Sequence, residues 1–133
     1  LELFILADWM DEYSRFPYEW KEEGKKKTPC FIKSALPEPL VFAGLWDSWI
    51  HGEDVLLSCS IVTTDAFGEL KDIHDRMPLL LSPATGATWL HGTIDEGRHV
   101  LASNSIEPVE FYPVGPRVGN PSNQGKDLIE PIS

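Results

Sequence analysis

The sequence has few cysteines and no long apolar run, and both scarcities restrict what the chain can be. Its 133 residues contain two cysteines, Cys30 and Cys59, so a disulfide-rich framework is excluded. Both lie in apolar, strand-like surroundings, which predicts buried free thiols in an intracellular, reducing compartment, the bacterial cytoplasm or the nucleus. No apolar stretch reaches the length of a membrane span, and the short run Leu3–Ala7 lacks the basic region of a signal peptide. We therefore expect no membrane partner.

Basic residues are also scarce. Lysine and arginine number 11 against 21 aspartates and glutamates, and the net charge is −10. This balance argues against a broad, non-specific nucleic-acid binder, because phosphate contacts need clustered cations. A local basic groove stays open as an alternative, built from Lys25–Lys27, Lys33, Arg76 and Arg117. The lysine triplet by itself is more typical of a solvated hairpin tip.

The chain length suits one domain with a hydrophobic core. Alternating and apolar patterns, separated by turn residues, predict short strands and two small helices. Asp65 is expected to cap the first helix through Ile73, and Ser82-Pro83 to open the second. Residues 8–17 read as an irregular insertion, and residues 91–105 give no clear pattern. The predicted fold class is α+β, mostly β, a barrel-like or half-open antiparallel sheet, with strands at residues 1–7, 18–21, 30–33, 40–45, 55–63 and 110–114.

The first residue is leucine rather than methionine, and the opening residues read like an internal strand. We therefore expect that an N-terminal portion of the natural protein precedes them. Strands without their partners leave open edges and uncovered apolar faces. The missing half-domain, a dimer partner or a swapped strand would be needed to cover them.

Four pieces of the chain hold candidate chemistry. Glu19 stands between Tyr18 and Trp20, and it is either an exposed strand glutamate or a carboxylate in a low-dielectric cleft. Thr63 ends a β-branched run, where it fills space or directs a hydroxyl at a phosphate. The run Ile73–Pro78 holds His74 and Arg76, and on this run alone His74 fits a structural role as well as a catalytic one. The fourth piece is the Gly/Asn-rich tail from Val118 to Gly125, which suits a fixed, folded-back loop.

Metal ligands and cofactor motifs are not evident. His91 and His99 are separated by eight positions, which fits no common metal pair on one helix or hairpin. We therefore predict no metal site and no cofactor. A hydrolase that would use Cys30 or Cys59 with a histidine finds no support in the spacing.

Taken together, the pieces resemble the SOS-response-associated peptidase (SRAP) family, whose members recognise abasic sites in single-stranded DNA and cross-link to them. The resemblance extends from Tyr18 onward, and the chain reads as the C-terminal portion, residues 1–133, of one such domain. The most specific matches are Tyr18-Glu19-Trp20-Lys21, Phe42-Ala43-Gly44-Leu45-Trp46, Thr63-Thr64, Ile73-His74-Asp75-Arg76-Met77-Pro78, Val118-Gly119-Asn120 and Leu128-Ile129-Glu130-Pro131.

The resemblance implies a role for each matched residue. In the family an N-terminal cysteine condenses with the ring-opened abasic sugar and closes a thiazolidine, and the protein also processes itself as a peptidase. Glu19 would be the acid/base that helps to open the sugar ring, and His74 the second proton-transfer group. Arg76 would hold a backbone phosphate. Trp20 and Thr63 would line the nucleotide path, where aromatic stacking orients a strand.

The sequence departs from the family pattern at two places. The N-terminal cysteine and the half-domain that follows it are absent, and neither Cys30 nor Cys59 has the free α-amine needed to replace that nucleophile. The link to the glutamate, which in the family usually carries glycine just before the aromatic, is here an insertion ending in Phe16-Pro17. The alternative to an active cross-linking protein is therefore a catalytically inactive remnant that binds single-stranded DNA or serves only as structure.

Overall fold

The computed structural model describes residues 2–7, 18–103 and 107–132, and side chains from residue 18 onward. Antiparallel strands dominate these residues, and they form open sheets rather than a closed barrel. The insertion predicted at residues 8–17 lies outside the described residues. The α+β, mostly β fold class is confirmed, with elements in the order β1 (Glu2–Ala7), β2 (Tyr18–Glu23), β3 (Lys26–Ser34), β4 (Val41–His51), β5 (Asp54–Ile61), β6 (Thr63–Asp65), η1 (Gly68–Asp72), β7 (Arg76–Pro78), α1 (Pro83–His91), α2 (Ile94–Ser103), β8 (Val109–Pro113), η2 (Pro116–Gly119) and η3 (Lys126–Ile129).

The described residues divide into two compact units. The first unit contains β1, β4 and β5, which form a sheet with β4 in the middle, followed by α1 and α2. Trp89 on α1 is 1% exposed and packs in a cluster with Ala43 of β4 and Val100 of α2. Its Nε1–H donates to the Gly44 carbonyl oxygen at 3.1 Å, which satisfies the only polar atom of this buried ring. Trp89 therefore joins the helices to the sheet.

Both helices of the first unit begin at a capping box. The Ser82 hydroxyl accepts from the Thr85 amide at 3.1 Å, and Pro83 opens α1, as the sequence predicts. The Thr93 hydroxyl accepts from the Glu96 amide at 3.2 Å, and the Glu96 carboxylate accepts from the Thr93 amide at 2.7 Å. The second box starts α2 within residues 91–105, for which no element is predicted.

The hairpin of β4 and β5 exposes an unusual amount of apolar surface. Its strands extend well past Leu45 and turn at Gly52, which has a φ of +64°. Five large apolar side chains near this turn are 59–69% exposed, namely Trp49, Ile50, Val55, Leu56 and Leu57. Cys59, on the same strand β5, is exposed, so the prediction that both thiols are buried is wrong for Cys59 and holds for Cys30. The reason is that consecutive β5 side chains, which point to alternate faces, are all exposed from Asp54 to Ser60, so the described residues cover neither face there.

The second unit contains a sheet in the order β2-β3-β8. The turn between β2 and β3 carries Gly24 at a φ of +63°, and the lysine triplet lies at the hairpin tip, as predicted. At the other edge, Phe31 of β3 contacts Tyr112 of β8, with ring centroids 5.5 Å apart. Val114 follows β8, is fully buried, and donates its amide to the Pro29 carbonyl oxygen at 2.9 Å. That bond directs the tail across β3.

The segment between β6 and β7 differs from the prediction. Its helix is a short 3₁₀ turn, η1, and Phe67 rather than Asp65 precedes it, without a side-chain cap. Asp65 instead ends β6, which pairs with β7 as a two-stranded sheet. Because the helix begins only at Gly68 and ends at Asp72, His74 lies beyond it and is not held on a helical face. Leu70 is buried and anchors η1.

Candidate functional site

The strand β2 carries the first two candidate residues, Glu19 and Trp20. Both side chains are half-buried, and strand alternation directs them to opposite faces of the sheet. Trp20 lies opposite Pro29 of β3. Its ring meets that of Tyr18, on the same face, in a T-shaped contact with centroids 6.4 Å apart and planes at 77°. Trp20 is thus placed as an aromatic surface of the kind on which nucleobases stack.

The Glu19 carboxylate is held close to its own strand. Its Oε1 accepts from the Trp20 backbone amide at 2.8 Å. Lys21 lies two positions further on the same strand face and pairs with Glu23 at 3.0 Å. The hydrogen bond that Lys21 donates to Glu23, followed by the charges of Glu23 and Asp72, raises the pKa of the Lys21 ammonium, which therefore stays protonated at neutral pH. Glu19 accordingly shares its face with a permanent cation.

His74 has partners on the backbone of Arg76. Its Nδ1 accepts from the Arg76 amide at 3.0 Å and lies 3.1 Å from the Arg76 carbonyl oxygen. A neutral ring can therefore accept through Nδ1 from the amide, and a protonated ring can donate through Nδ1 to the carbonyl. The ring keeps a partner in either state, and the whole side chain is exposed. Nε2 is then the nitrogen that can exchange a proton with another molecule.

Arg76 presents its guanidinium next to an acid. Its Nη1 pairs with Asp65 Oδ1 at 2.5 Å, and the two side chains are 48% and 91% exposed respectively. The Ala66 amide also donates to the Asp75 carbonyl oxygen at 2.8 Å, which holds the two segments together. A guanidinium is a planar donor group whose geometry suits a phosphate as well as a carboxylate.

The structure brings four of the five predicted residues into the same compact unit. Glu19, Trp20, His74 and Arg76 belong to the second unit, whereas Thr63, which is exposed on β6, belongs to the first. Within the second unit, the charge of Asp72 on η1 acts on Lys21 of β2. The charge of Asp72, two positions before His74, therefore reaches the strand that carries Glu19. Their shared cleft stays a prediction.

The tail adds contacts that the sequence analysis did not predict. It forms a fixed, folded-back loop as expected, because Asn123 Nδ2 donates to the Arg117 carbonyl oxygen at 2.9 Å and Arg117 pairs with Asp127 at 2.8 Å. The unpredicted feature is that Gly119 lies against the Trp20 ring. The motif Val118-Gly119-Asn120 marked the loop in the sequence but did not indicate which residue it contacts.

Metal ligands do not cluster in the part of the chain that the structure describes. Within residues 18–103 and 107–132 no group of three or more histidine, cysteine, aspartate or glutamate side chains converges. No described helix is long and apolar enough to cross a membrane.

Comparisons with known proteins relate the chain to one family. The sequence model described as SOS response associated peptidase (SRAP) matches residues 14–121. The chain is similar to the abasic site processing protein YedK of Escherichia coli, with 39% identity over 119 residues, which cover 86% of this chain and 54% of that protein. It is also similar to the abasic site processing protein HMCES of mouse, with 34% identity over 95 residues, which cover 69% of this chain and 27% of that protein.

Solved structures match in fold. A protein from Bacteroides thetaiotaomicron superposes with a TM-score of 0.77 at 21% identity, covering 99% of this chain and 57% of that one. A phage-related protein from Bordetella bronchiseptica superposes with a TM-score of 0.61 at 29% identity, covering 85% of this chain and 53% of that one. The chain thus spans about half the length of the E. coli relative and of both structures.

Proposed function

Because this chain belongs to the SOS response associated peptidase (SRAP) family, we propose that it supplies the proton-transfer and DNA-contact part of an abasic-site processing protein. The proposed protein binds single-stranded DNA at abasic sites and becomes covalently linked to them. The observation that carries this proposal is the family match over residues 14–121, which include Glu19, His74 and Arg76, together with 33–39% identity to relatives named abasic site processing proteins. The chain would act as the C-terminal portion of one domain.

The chemistry requires proton transfer at two stages. First, the ring-closed abasic sugar opens to an aldehyde, and Glu19 moves the proton between the sugar oxygens. Then an N-terminal cysteine, supplied from outside this chain, adds its α-amine to the aldehyde carbon and loses water to form an imine. Its thiol adds to the imine carbon, which closes the thiazolidine as the nitrogen gains a proton. His74 serves as the second proton-transfer group, and exposure of its ring supports access to the substrate.

The remaining residues bind the strand. Arg76, whose side chain is half exposed, donates to a backbone phosphate through its planar guanidinium, and Trp20 stacks on a base next to the lesion. Thr63 lines the nucleotide path with its exposed hydroxyl. Because such a protein works on cellular DNA, we propose an intracellular location. Self-processing peptidase activity belongs to the same proposal.

A covering partner is also part of the proposal. The large apolar side chains of the β4–β5 hairpin are 59–69% exposed, and an exposed apolar patch of this kind is unusual on a complete folded domain. We propose that the further part of the natural protein, or a second copy, covers them. The chain spans about half of the length of the E. coli relative, which supports a further part of the natural protein as the covering partner.

The alternative is a catalytically inactive remnant that binds single-stranded DNA or is only structural. One observation favours it for the chain alone: its two cysteines, Cys30 and Cys59, lie within strands and have no free α-amine. Accordingly, the chain alone should give no covalent band with an abasic single-stranded oligonucleotide on a denaturing gel. A band sensitive to Glu19→Ala would contradict this.

The experiment that separates the two uses the natural full-length protein. It is incubated with the same oligonucleotide, and the initial rate of cross-linking is measured for Glu19→Gln and His74→Gln. Each rate should fall by about 10²–10⁴-fold, the usual contribution of a general acid or base. The controls are Glu22→Gln, an exposed glutamate on the same strand, and His99→Gln, an exposed histidine whose Nδ1 also lies beside a backbone oxygen.

The outcomes distinguish the candidates. Cross-linking that is slowed by the site variants and unchanged in the controls supports the active protein. Tight binding of the oligonucleotide without any covalent band supports the inactive binding remnant. Equal rates in Glu19→Gln and Glu22→Gln would remove Glu19 from the mechanism.

A further inference from the structure

Gly119 meets the Trp20 ring so closely that even a methyl side chain would require a small shift. A Cβ placed on Gly119 would lie 3.0 Å from Cζ2 of Trp20, and the glycine has no positive φ that would explain its presence otherwise. This distance is tighter than ordinary van der Waals contact. An alanine at this position would therefore push the indole or the loop by a few tenths of an ångström.

The direction of approach is as informative as the distance. Cζ2 is nearest, and the two ring atoms bonded to it, Cη2 and Cε2, are almost equally far, at 3.8 and 3.9 Å. A contact above the ring would bring these neighbours to within a few tenths of an ångström of the Cζ2 distance. The larger difference means that Gly119 approaches in the ring plane, at the edge. The loop therefore limits rotation of the indole without covering a face.

The loop that carries Gly119 is held firmly. Val114 is tied to Pro29 by its amide, and Pro29 is the β3 residue directly opposite Trp20. Beyond η2, the carbonyl oxygen of Arg117 accepts from Asn123, and its guanidinium is paired with Asp127. A loop that is fixed at both ends can restrict rotation of the indole sterically, because it does not move when the ring moves.

We propose that Gly119 is a positioning residue that sets the plane of Trp20, so that an indole face is aligned for stacking with a base of single-stranded DNA. This inference rests on the proposed function and adds a residue to it. Stacking needs parallel planes, so a small tilt of the ring reduces overlap with the base. Gly119 thus acts through Trp20 and does not contact the DNA.

The test compares two glycines of the same loop in the natural full-length protein. Gly115 precedes η2 at a φ of −67°, and a Cβ there would meet nothing within 4 Å, so Gly115→Ala is the matched control. Affinity is measured for an abasic single-stranded oligonucleotide, together with the indole N–H resonance of Trp20. Gly119→Ala should weaken binding about three- to tenfold, part of the roughly 5- to 150-fold expected for Trp20→Ala, and should shift the resonance. Gly115→Ala should change neither.

A double variant separates positioning from a general structural effect. In the Trp20→Ala background, Gly119→Ala should change affinity by less than about twofold, because the ring that it acts on is gone. The same three- to tenfold loss in that background would overturn the inference, and so would unchanged binding by Gly119→Ala when Trp20→Ala binds weakly. If the unaltered protein binds no abasic DNA, the proposed function fails with it, and a shifted indole resonance then records a contact that is only structural.

Discussion

The proposed contact between Arg76 and DNA can be tested through the salt dependence of binding. Each phosphate neutralised on a single strand contributes about −0.7 to the slope of log affinity against log salt concentration. Arg76 carries one charge on a half-exposed side chain, so Arg76→Ala should make the slope less steep by about 0.7. The ratio of the affinity of the unaltered protein to that of Arg76→Ala should therefore be about 2.6-fold smaller at 200 mM salt than at 50 mM salt.

The size of the loss itself follows from the ion pair with Asp65. Hydrogen bonds to charged groups contribute about 1.5–3 kcal/mol, and one Arg76 nitrogen is already bound to Asp65 at 2.5 Å. We therefore expect the low end of this range, about a tenfold weaker affinity at low salt. Fluorescence anisotropy of a labelled abasic oligonucleotide, titrated at several salt concentrations, measures both quantities.

Two control variants make the result interpretable. Arg76→Lys keeps the charge but not the planar fork, so it should lose affinity and retain the slope. Arg98 forms a similar exposed pair with Asp95, at 3.2 Å, and lies outside the predicted site, so Arg98→Ala should leave both unchanged. A slope for Arg76→Ala equal to that of the unaltered protein would refute the phosphate contact, and so would an equal change in Arg98→Ala.

Three further predictions concern stability, each measured by urea denaturation. Trp89→Phe removes the donor to Gly44 and some ring volume, and should lower the free energy of unfolding by about 2–3 kcal/mol. Trp89→Ala should lower it by about 3–5 kcal/mol. A loss below about 0.5 kcal/mol for Trp89→Phe would contradict this. Ser82→Ala removes the cap of α1 and should cost about 1 kcal/mol, and no loss would show that the cap contributes nothing. Burial raises the pKa of the Cys30 thiol, so its contribution to stability is complete below about pH 8.5 and is lost as pH rises through the folded-state pKa. Cys30→Ala should therefore lose stability less steeply above that pH, and identical pH profiles would refute the assignment.

Much of the fold follows from local patterns that packing does not override. The alternation and turn residues of β2 and β3, with Gly24 between them, correctly predict the first hairpin, and Ser82-Pro83 correctly predicts the start of α1. In contrast, no element is predicted over α2, although the pair Thr93 and Glu96 marks its start as a capping box. A search for capping residues would have predicted where this helix begins.

The candidate site was less predictable because it depends on tertiary contacts. The prediction that Asp65 caps a helix is wrong, because its carboxylate is used by Arg76, eleven positions later. Local propensity cannot distinguish a capping aspartate from one in a long-range ion pair. The contact of Gly119 with Trp20 joins residues a hundred positions apart, and no spacing in the sequence indicates it. By contrast, the family resemblance identified the membership of the chain from short motifs alone.

The two backbone partners of His74 have a consequence for chemical labelling of this imidazole. A ring methylated on Nε2 would still be anchored through Nδ1, but it could no longer relay a proton outward. A ring methylated on Nδ1 would lose its anchor while its outer nitrogen remained basic. The two isomers of one small modification would thus separate orientation from proton relay in a single side chain.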